Sequence, residues 1–274
     1  MNRQQDPWIR MDELGSQRAP FLFIIDFEMV RPMVFPLHAL PAQLCFSTPG
    51  MPEPFGEPGK APFDFIREPV HFEEYRKAFQ IVIKQILHGN SYLVNLTFPT
   101  PIRTNLSLRE IYHQSQAPYR LLVGDRFTVF SPEPFITISD GVIRTFPMKG
   151  TIDASVKEAE QVIMQNVKEM AEHHTIVDLL RNDLSRVAGE VTVRRFRYVD
   201  RIRAHDREIL QVSSEISGRL FPGFPSTIGQ IIRQLLPAGS VSGAPKKKTL
   251  EIIREAEGSP RGYYTGVFGV FDGQ

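Results

Sequence analysis

At 274 residues the chain suits one large domain or two small ones, and it can bury a substantial core. Its 32 basic and 31 acidic residues leave no global field to favour nucleic acid or an anionic membrane surface. The single cysteine, Cys45, excludes an intrachain disulfide and any cysteine-cluster metal site, and fits a reducing compartment.

The chain opens MNRQQDPWIRMDELG, without the apolar segment of a signal peptide, and no later apolar run approaches the roughly 20 residues that span a bilayer. A soluble, cytoplasmic protein is the expectation. Residues 21–27, FLFIIDF, form an apolar run of strand length. Residues 47–70 are rich in Pro and Gly and read as a loop or flap. Phe72, Tyr75, Phe79, Val82, Ile83 and Ile86 recur at helical spacing, and Gly89-Asn90 closes that helix. Strands are predicted at 93–98, 127–130, 135–138 and 142–146, with Asp140-Gly141 as a hairpin signal.

A long helix is predicted over 157–184 and a strand over 191–199, while 208–220 fits either state. A short helix over 228–236 ends at Pro237. The Gly-rich loop after it feeds another helix, with Pro245 at the first position and Gly258 as the stop. Residues 263–271 read as a strand, and Asp272-Gly273 is a second hairpin signal with only Gln274 after it. That ending leads to the expectation of a longer natural chain, or of an abnormally short one. Strands and helices mix without βαβ regularity, which predicts an α+β fold with largely antiparallel sheet. The expected organisation is a single domain: N-terminal strands and the Pro/Gly-rich loop over 1–70, then a core over 71–274.

Three groups of residues are candidates for chemistry. Glu169 and Glu172, three apart on the long helix, share one face and suit a hard cation such as Mg²⁺, or else form a solvated acidic face. His173 and His174 point about 100° apart on a helix and have no third ligand at metal spacing, which argues against zinc. Asp178 and Asp183 beside Arg181 and Arg186 read as intrahelical salt bridging. The loop Ala238–Lys246 joins free N–H groups, small side chains and a lysine. That is either an anion site or a tight turn that only glycine permits. Lys246, Lys247 and Lys248 lack the interleaved aromatics of a nucleic-acid surface. Finally, Glu133 and Lys149 lie 16 residues apart across the predicted hairpin. They form either a surface pair or an acid and an amine at one end of a pocket, where desolvation would make the amine a nucleophile.

SPEPF at 131–135, PMKGT at 147–151, EHHTIVDLLRNDLSRV at 172–187, PAGSVSGAPKKKTLEII at 237–253 and RGYYTGVFG at 261–269 occur in a telling order. That order resembles the chorismate-utilising enzymes, among them the anthranilate, isochorismate, salicylate and aminodeoxychorismate synthases. The resemblance runs from about Phe72 to the end. It implies largely antiparallel sheets packed face to face with helices outside. Lysine before Gly150-Thr151 is, in this family, the mark of aminodeoxychorismate synthase component I; anthranilate and isochorismate synthases usually carry alanine there.

The resemblance further implies that Lys149 attacks C2 of chorismate as the C4 hydroxyl leaves, with Glu133 as general acid/base. Ammonia from a glutamine amidotransferase partner then attacks C4 and expels the lysine, giving 4-amino-4-deoxychorismate for folate synthesis. Glu172 and Glu169 match the family's Mg²⁺-binding helix, with Glu172 the more direct ligand. Thr151, Gly243, Tyr264, Lys246 and Gln211 match positions at the substrate site. The sequence departs from the family in three ways. A second-carboxylate arginine, a Gly-rich turn and an acidic metal-site helix, expected beyond the last residue, are absent from 1–274. Gln211 stands where a histidine is usual, and the N-terminal region is short with no tryptophan-binding motif, so feedback inhibition by tryptophan is not expected. The alternatives are anthranilate synthase component I and a truncated, non-catalytic member that binds the amidotransferase.

Overall fold

The computed structural model describes residues 6–51, 63–203 and 208–274. Helix α1 (Pro7–Ser16) opens the chain: the Asp6 carboxylate caps it by accepting the Trp8 N–H, and Pro7 takes the first helical turn. Strands β1 (Phe21–Ile25), β2 (Met33–Pro36) and β3 (Leu44–Ser47) follow. Next come β4 (Ile66–Arg67), helix α2 (Phe72–Leu87), β5 (Leu93–Val94), β6 (Ile102–Arg103) and helix α3 (Leu108–Gln114). A run of strands comprises β7 (Tyr119–Val123), β8 (Phe127–Ser131), β9 (Thr137–Ser139), β10 (Val142–Thr145) and β11 (Met148–Asp153). Helices α4 (Ala159–Gln165) and α5 (Val167–Leu184) lead to the long strands β12 (Ala188–Arg203) and β13 (Glu208–Leu220). The chain closes with α6 (Ile228–Leu235), the short α7 (Gly239–Ser242), β14 (Gly243–Ala244), α8 (Lys246–Glu257) and β15 (Val267–Phe271).

Every strand pair among the described residues is antiparallel, as the α+β expectation requires. Two three-stranded sheets, β15-β1-β2 and β3-β7-β8, share an apolar cluster of Leu22, Ile24, Leu44, Leu121 and Val123. The opposite face of β1 sends Phe21, Phe23 and Ile25 against Trp8, Met11 and Leu14 of α1 and Ile228 and Ile232 of α6. Burial on both faces explains the unbroken apolar run of β1. The five-stranded sheet has the order β11-β13-β10-β9, with β12 on β13. Helix α5 lays Val177, Leu180 and Leu184 on it, beside Ile231 and Leu235 of α6. Helix α6 thus joins the two halves of the core.

The structure corrects several element boundaries. The helix predicted over 157–184 is two helices, because the Asn166 side chain accepts the Glu169 N–H and starts a new helix. Strand β8 pairs with β7, while the Asp140-Gly141 turn joins β9 to β10 with both residues at positive φ. The ambiguous 208–220 is the central strand; Ser213, Ser214 and Ser217 blur its apolar pattern, yet all are buried. Helix α8 starts one residue after Pro245, which is its N-cap. The 93–98 and 263–271 strands shrink to β5 and β15. Of the 47–70 loop, Ser47 belongs to β3 and 66–67 to β4, and 52–62 lie outside the described residues. Helix α1 went unpredicted although Asp6-Pro7 and the spacing of Trp8, Met11 and Leu14 signal it. Among the described residues no helix is long and apolar enough to cross a membrane.

Helices α1 and α6 approach so closely that a Cβ on Gly229 would stand 2.2 Å from the Trp8 carbonyl oxygen. Gly229 also donates its N–H to Asp12 Oδ1 at 2.7 Å. Alanine gains about 1 kcal/mol in helix propensity over glycine, but forced overpacking costs about 1–3 kcal/mol. The backbone clash should win, so Gly229→Ala is expected to lower the urea midpoint; an unchanged or raised midpoint would show that α1 can shift.

Candidate active site

Strand β11 is irregular where it carries its lysine. Met148 lies opposite Ser213 and Thr151 opposite Gln211, so Lys149 and Gly150 together face the single residue Val212. This is a β-bulge, which re-aims a side chain that strict alternation would send elsewhere. Gly150 has φ +90°, a conformation strained for any residue with a Cβ. A Cβ there would also stand 3.3 Å from Glu169 Oε2. Helix α5 therefore sits directly over the bulge.

The first turns of α5 present Glu169 and Glu172, three residues apart. Lys149 Nζ lies 2.8 Å from Glu172 Oε2, and Lys168 Nζ lies 3.7 Å from Oε1. The hydrogen bond from Lys149 is the main cause that holds the Glu172 carboxyl below the usual carboxylate range, against a partial desolvation. Both partners are over a third exposed, so the ion pair is worth only ~0–1 kcal/mol. Lys149 can leave it at small cost. Glu169 and Glu172 are hard oxygen donors on one helix face, and Glu172 already attracts the ammonium groups of Lys149 and Lys168. This donor set fits Mg²⁺, which is bound through one or two carboxylates while keeping several waters. Among the described residues no group of three or more potential ligands gathers.

The next residue, His173, is completely buried. Its Nε2 lies 2.7 Å from Ser214 Oγ on β13, and the ring meets Phe196 edge-on at 5.9 Å. Burial, reinforced by the Arg197 charge, pushes its pKa down to about 4, although the Lys149 main chain favours a proton on the ring. His173 is thus a neutral, built-in side chain.

Glu133 occupies a different environment. It lies between β8 and β9, where Ser131 Oγ donates to its main-chain oxygen at 2.8 Å. Glu133 lines a cavity of about 500 Å³ whose walls include Phe23, Phe135, Ile228, Ile232 and Val267. Its Oε2 is buried without a hydrogen-bond partner. Desolvation raises its pKa to about 7, the range of a group that gives and takes protons at neutral pH. Lys149 is not on this cavity's wall.

The remaining sequence candidates are distributed. Gln211 is buried opposite Thr151, and its amide donates to Met148 Sδ at 2.6 Å. Gly243 has φ +127° and pairs with Val94; a Cβ there would stand 1.9 Å from the Leu93 carbonyl oxygen, so close backbone approach explains it. Tyr264 is exposed in the turn before β15.

Lys246 points inward: its Nζ is 3.0 Å from Asp183 Oδ1 and donates to the Leu235 carbonyl oxygen at 3.0 Å. Asp183 Oδ2 also accepts the Gly239 N–H at 3.2 Å. The carboxylate that the loop and its lysine can hold is therefore the protein's own Asp183. Arg181 does pair with Asp178 along the helix, whereas Asp183 reaches across to Lys246.

Sequence reasoning passed over Arg261. Its guanidinium is nearly fully buried, binds Glu257 at 2.6 and 2.9 Å and donates to the carbonyl oxygens of Asn95 and Val241 at 2.5 and 2.7 Å. It lies 4.4 Å from the Phe27 ring centroid. This network ties β5, α7 and α8 to the turn that carries Tyr264.

Residues 39–274 match the family described as chorismate binding enzyme. The chain belongs to that family. It is 50% identical over 261 residues to the uncharacterized PabA-like protein of Haemophilus influenzae, covering 95% of this chain and 80% of that protein. It is 32% identical over 211 residues to the chloroplastic anthranilate synthase alpha subunit 1 of Arabidopsis thaliana, covering 72% of this chain and 34% of the relative. Among solved structures, the menaquinone-specific isochorismate synthase of Escherichia coli superposes with a TM-score of 0.58 at 14% identity. That likeness covers 96% of this chain and 69% of the other, and establishes the shared fold.

The Glu133 environment generates a pH prediction. Its carboxyl has a pKa of about 7 when folded, above the ordinary value of 4.5, so the unfolded chain releases this proton first as pH rises. Folding stability should therefore fall through the window from about 4.5 to about 7 on this account and stay low above it. Glu133→Gln is expected to remove that slope, being more stable than the parent at pH 8 and no more stable at pH 4. Denaturation at the two pH values checks it; identical slopes would mean the carboxyl is hydrated.

Proposed function

We propose that the chain is the chorismate-aminating subunit of an aminodeoxychorismate synthase, supplied with ammonia by a glutamine amidotransferase. The observation that carries this reading is Lys149 itself, a primary amine set on a glycine bulge in a loose, solvent-reachable ion pair. Within this family a nucleophile is useful there and an inert surface lysine has no need of a bulge. The family match supports chorismate as the substrate.

The chemistry follows from the residues. Lys149, its proton released to the solvent that reaches its side chain, bonds through Nζ to C2 of chorismate. The ring double bond shifts and the C4–O bond breaks. Glu133 is assigned the proton that the departing hydroxyl takes as it leaves as water, a task that a carboxyl of pKa about 7 is matched to. For this, chorismate must reach from Lys149 to the Glu133 cavity, whose wall does not include Lys149. Ammonia then bonds to C4, the double bond shifts back, the Nζ–C2 bond breaks to restore the amine, and the new ammonium group returns a proton to the Glu133 carboxylate. Chorismate and ammonia become 4-amino-4-deoxychorismate and water. Two easier displacements replace one difficult one. Mg²⁺ bound at Glu172 and Glu169 would neutralise a substrate carboxylate beside these acidic groups. A second reading, anthranilate synthase component I, draws on the 32% identity to the Arabidopsis thaliana subunit; Lys149 disfavours it.

Incubation with chorismate, Mg²⁺ and ammonium is expected to give aminodeoxychorismate, and anthranilate as sole product would refute the choice. Mass spectrometry after trapping should find the substrate adduct on Lys149, absent in Lys149→Ala. An unmodified lysine with undiminished turnover in that variant would count against the covalent route. Glu172→Gln is expected to raise the Mg²⁺ concentration needed for half-maximal rate by about tenfold or more, since even residues that only orient a metal's ligands are worth about 10–100-fold in affinity; an unchanged requirement would place the metal elsewhere.

A further inference from the structure

Ser214 stands where two irregularities meet. On one side of β13, Phe196 and Arg197 of β12 together face Ser214 alone, since Arg195 pairs with Glu215 and Tyr198 with Ser213. Arg197 has φ +49° in this second bulge, and its N–H, freed from the ladder, donates to Ser214 Oγ at 2.9 Å. On the other side, the Ser214 N–H donates to the Pro147 carbonyl oxygen at 2.9 Å, just before β11 and its lysine. A hydroxyl that accepts from Arg197 keeps its own proton for a further acceptor, and the atom within reach is His173 Nε2 at 2.7 Å. Ser214 thus joins three strands and α5 at one buried point.

The C-terminal end of helix α5 is fastened by the buried Asp183–Lys246 pair, and its middle rests on the sheet through Val177, Leu180 and Leu184. The N-terminal half, which carries Glu169 and Glu172, meets β13 through His173. The hydrogen bond to Ser214 is directional and lies one residue from Glu172, which meets Lys149, and four from Glu169, which covers Gly150. We infer that His173 and Ser214 are positioning residues for Lys149, their buried hydrogen bond holding the N-terminal half of α5 where Glu172 sits over the β11 bulge. Neither touches the reacting atoms. The inference rests on the proposed role of Lys149, but the placement it describes can be measured without the reaction.

The comparison uses His173→Leu, which fills the space without the hydrogen bond, and His173→Gln, whose amide can reach Ser214. Hydrogen exchange read by mass spectrometry should show faster exchange in peptides covering 147–153 for His173→Leu, with the distal part of the β12–β13 ladder unchanged. Protection should return in His173→Gln. In the assay, kcat is expected to fall about tenfold or more in His173→Leu with KM for chorismate within about twofold, the signature of misplacement and not of lost binding. His173→Gln should recover to within about threefold. Ser214→Ala provides the same test from the strand side if His173→Leu fails to fold. Parental protection over 147–153 in both His173→Leu and Ser214→Ala would overturn the inference, as would a folded His173→Gln no better than His173→Leu. If the parent protein forms no aminodeoxychorismate, the functional proposal falls while the exchange comparison still decides the positioning role.

Discussion

The register shift in β11 is the constraint on which the site depends. Two residues, Lys149 and Gly150, share the place of one opposite Val212. Such a shift breaks the regular alternation of side chains between Met148 and Thr151. Glycine is favoured at the second position by its φ of +90°, and a Cβ there would also press lightly on the Glu169 side chain. The same bulge therefore aims the lysine and lets α5 approach closely enough for Glu172 to meet it.

Burial sorts the two lysines that sequence motifs single out. The Lys246–Asp183 pair is largely enclosed and further tied to Leu235 and Gly239, so breaking it would strand a charge at a cost of about 3–5 kcal/mol. Lys246 is a fastener between α5 and α8. Lys149 is half-exposed, and its pair is weak. Of the two, only Lys149 can change partners during a reaction. The buried Arg261–Glu257 network belongs with Lys246: it fixes the ends of α7 and α8 and the turn before β15.

Division of labour between environments runs through the structure. Glu133, desolvated by burial, keeps a proton near neutral pH, while Glu172, beside an ammonium group, stays ionised. Two carboxylates with opposed tendencies are a recurrent arrangement for acid and charge-stabilising roles. They arise here from different architectural levels. The Glu133 shift is made by the packing of β1, β15 and α6 around the cavity, and the Glu172 shift by the local meeting of α5 with β11.

Much of this was legible in the sequence. The apolar run of β1, the Asp140-Gly141 turn, the helical spacing of α2, the stop at Gly258 and the antiparallel α+β character all follow from periodicity and turn chemistry, which act locally. The order of motifs placed the chain among chorismate-binding enzymes, and the shared face of Glu169 and Glu172 is a property of helical spacing alone. What the sequence could not decide was set by contacts distant along the chain. Strand β13 is a strand because β10, β11 and β12 satisfy its serine-rich backbone, and Asn166 breaks a helix that propensity alone would continue. Whether Lys246 meets a ligand or Asp183, and whether Lys149 follows the alternation or the bulge, depends on partners 63 and 23 residues away. Local physics wrote the elements and the candidate residues; desolvation and cross-strand register, which exist only in the folded chain, determined which of those residues are free to act.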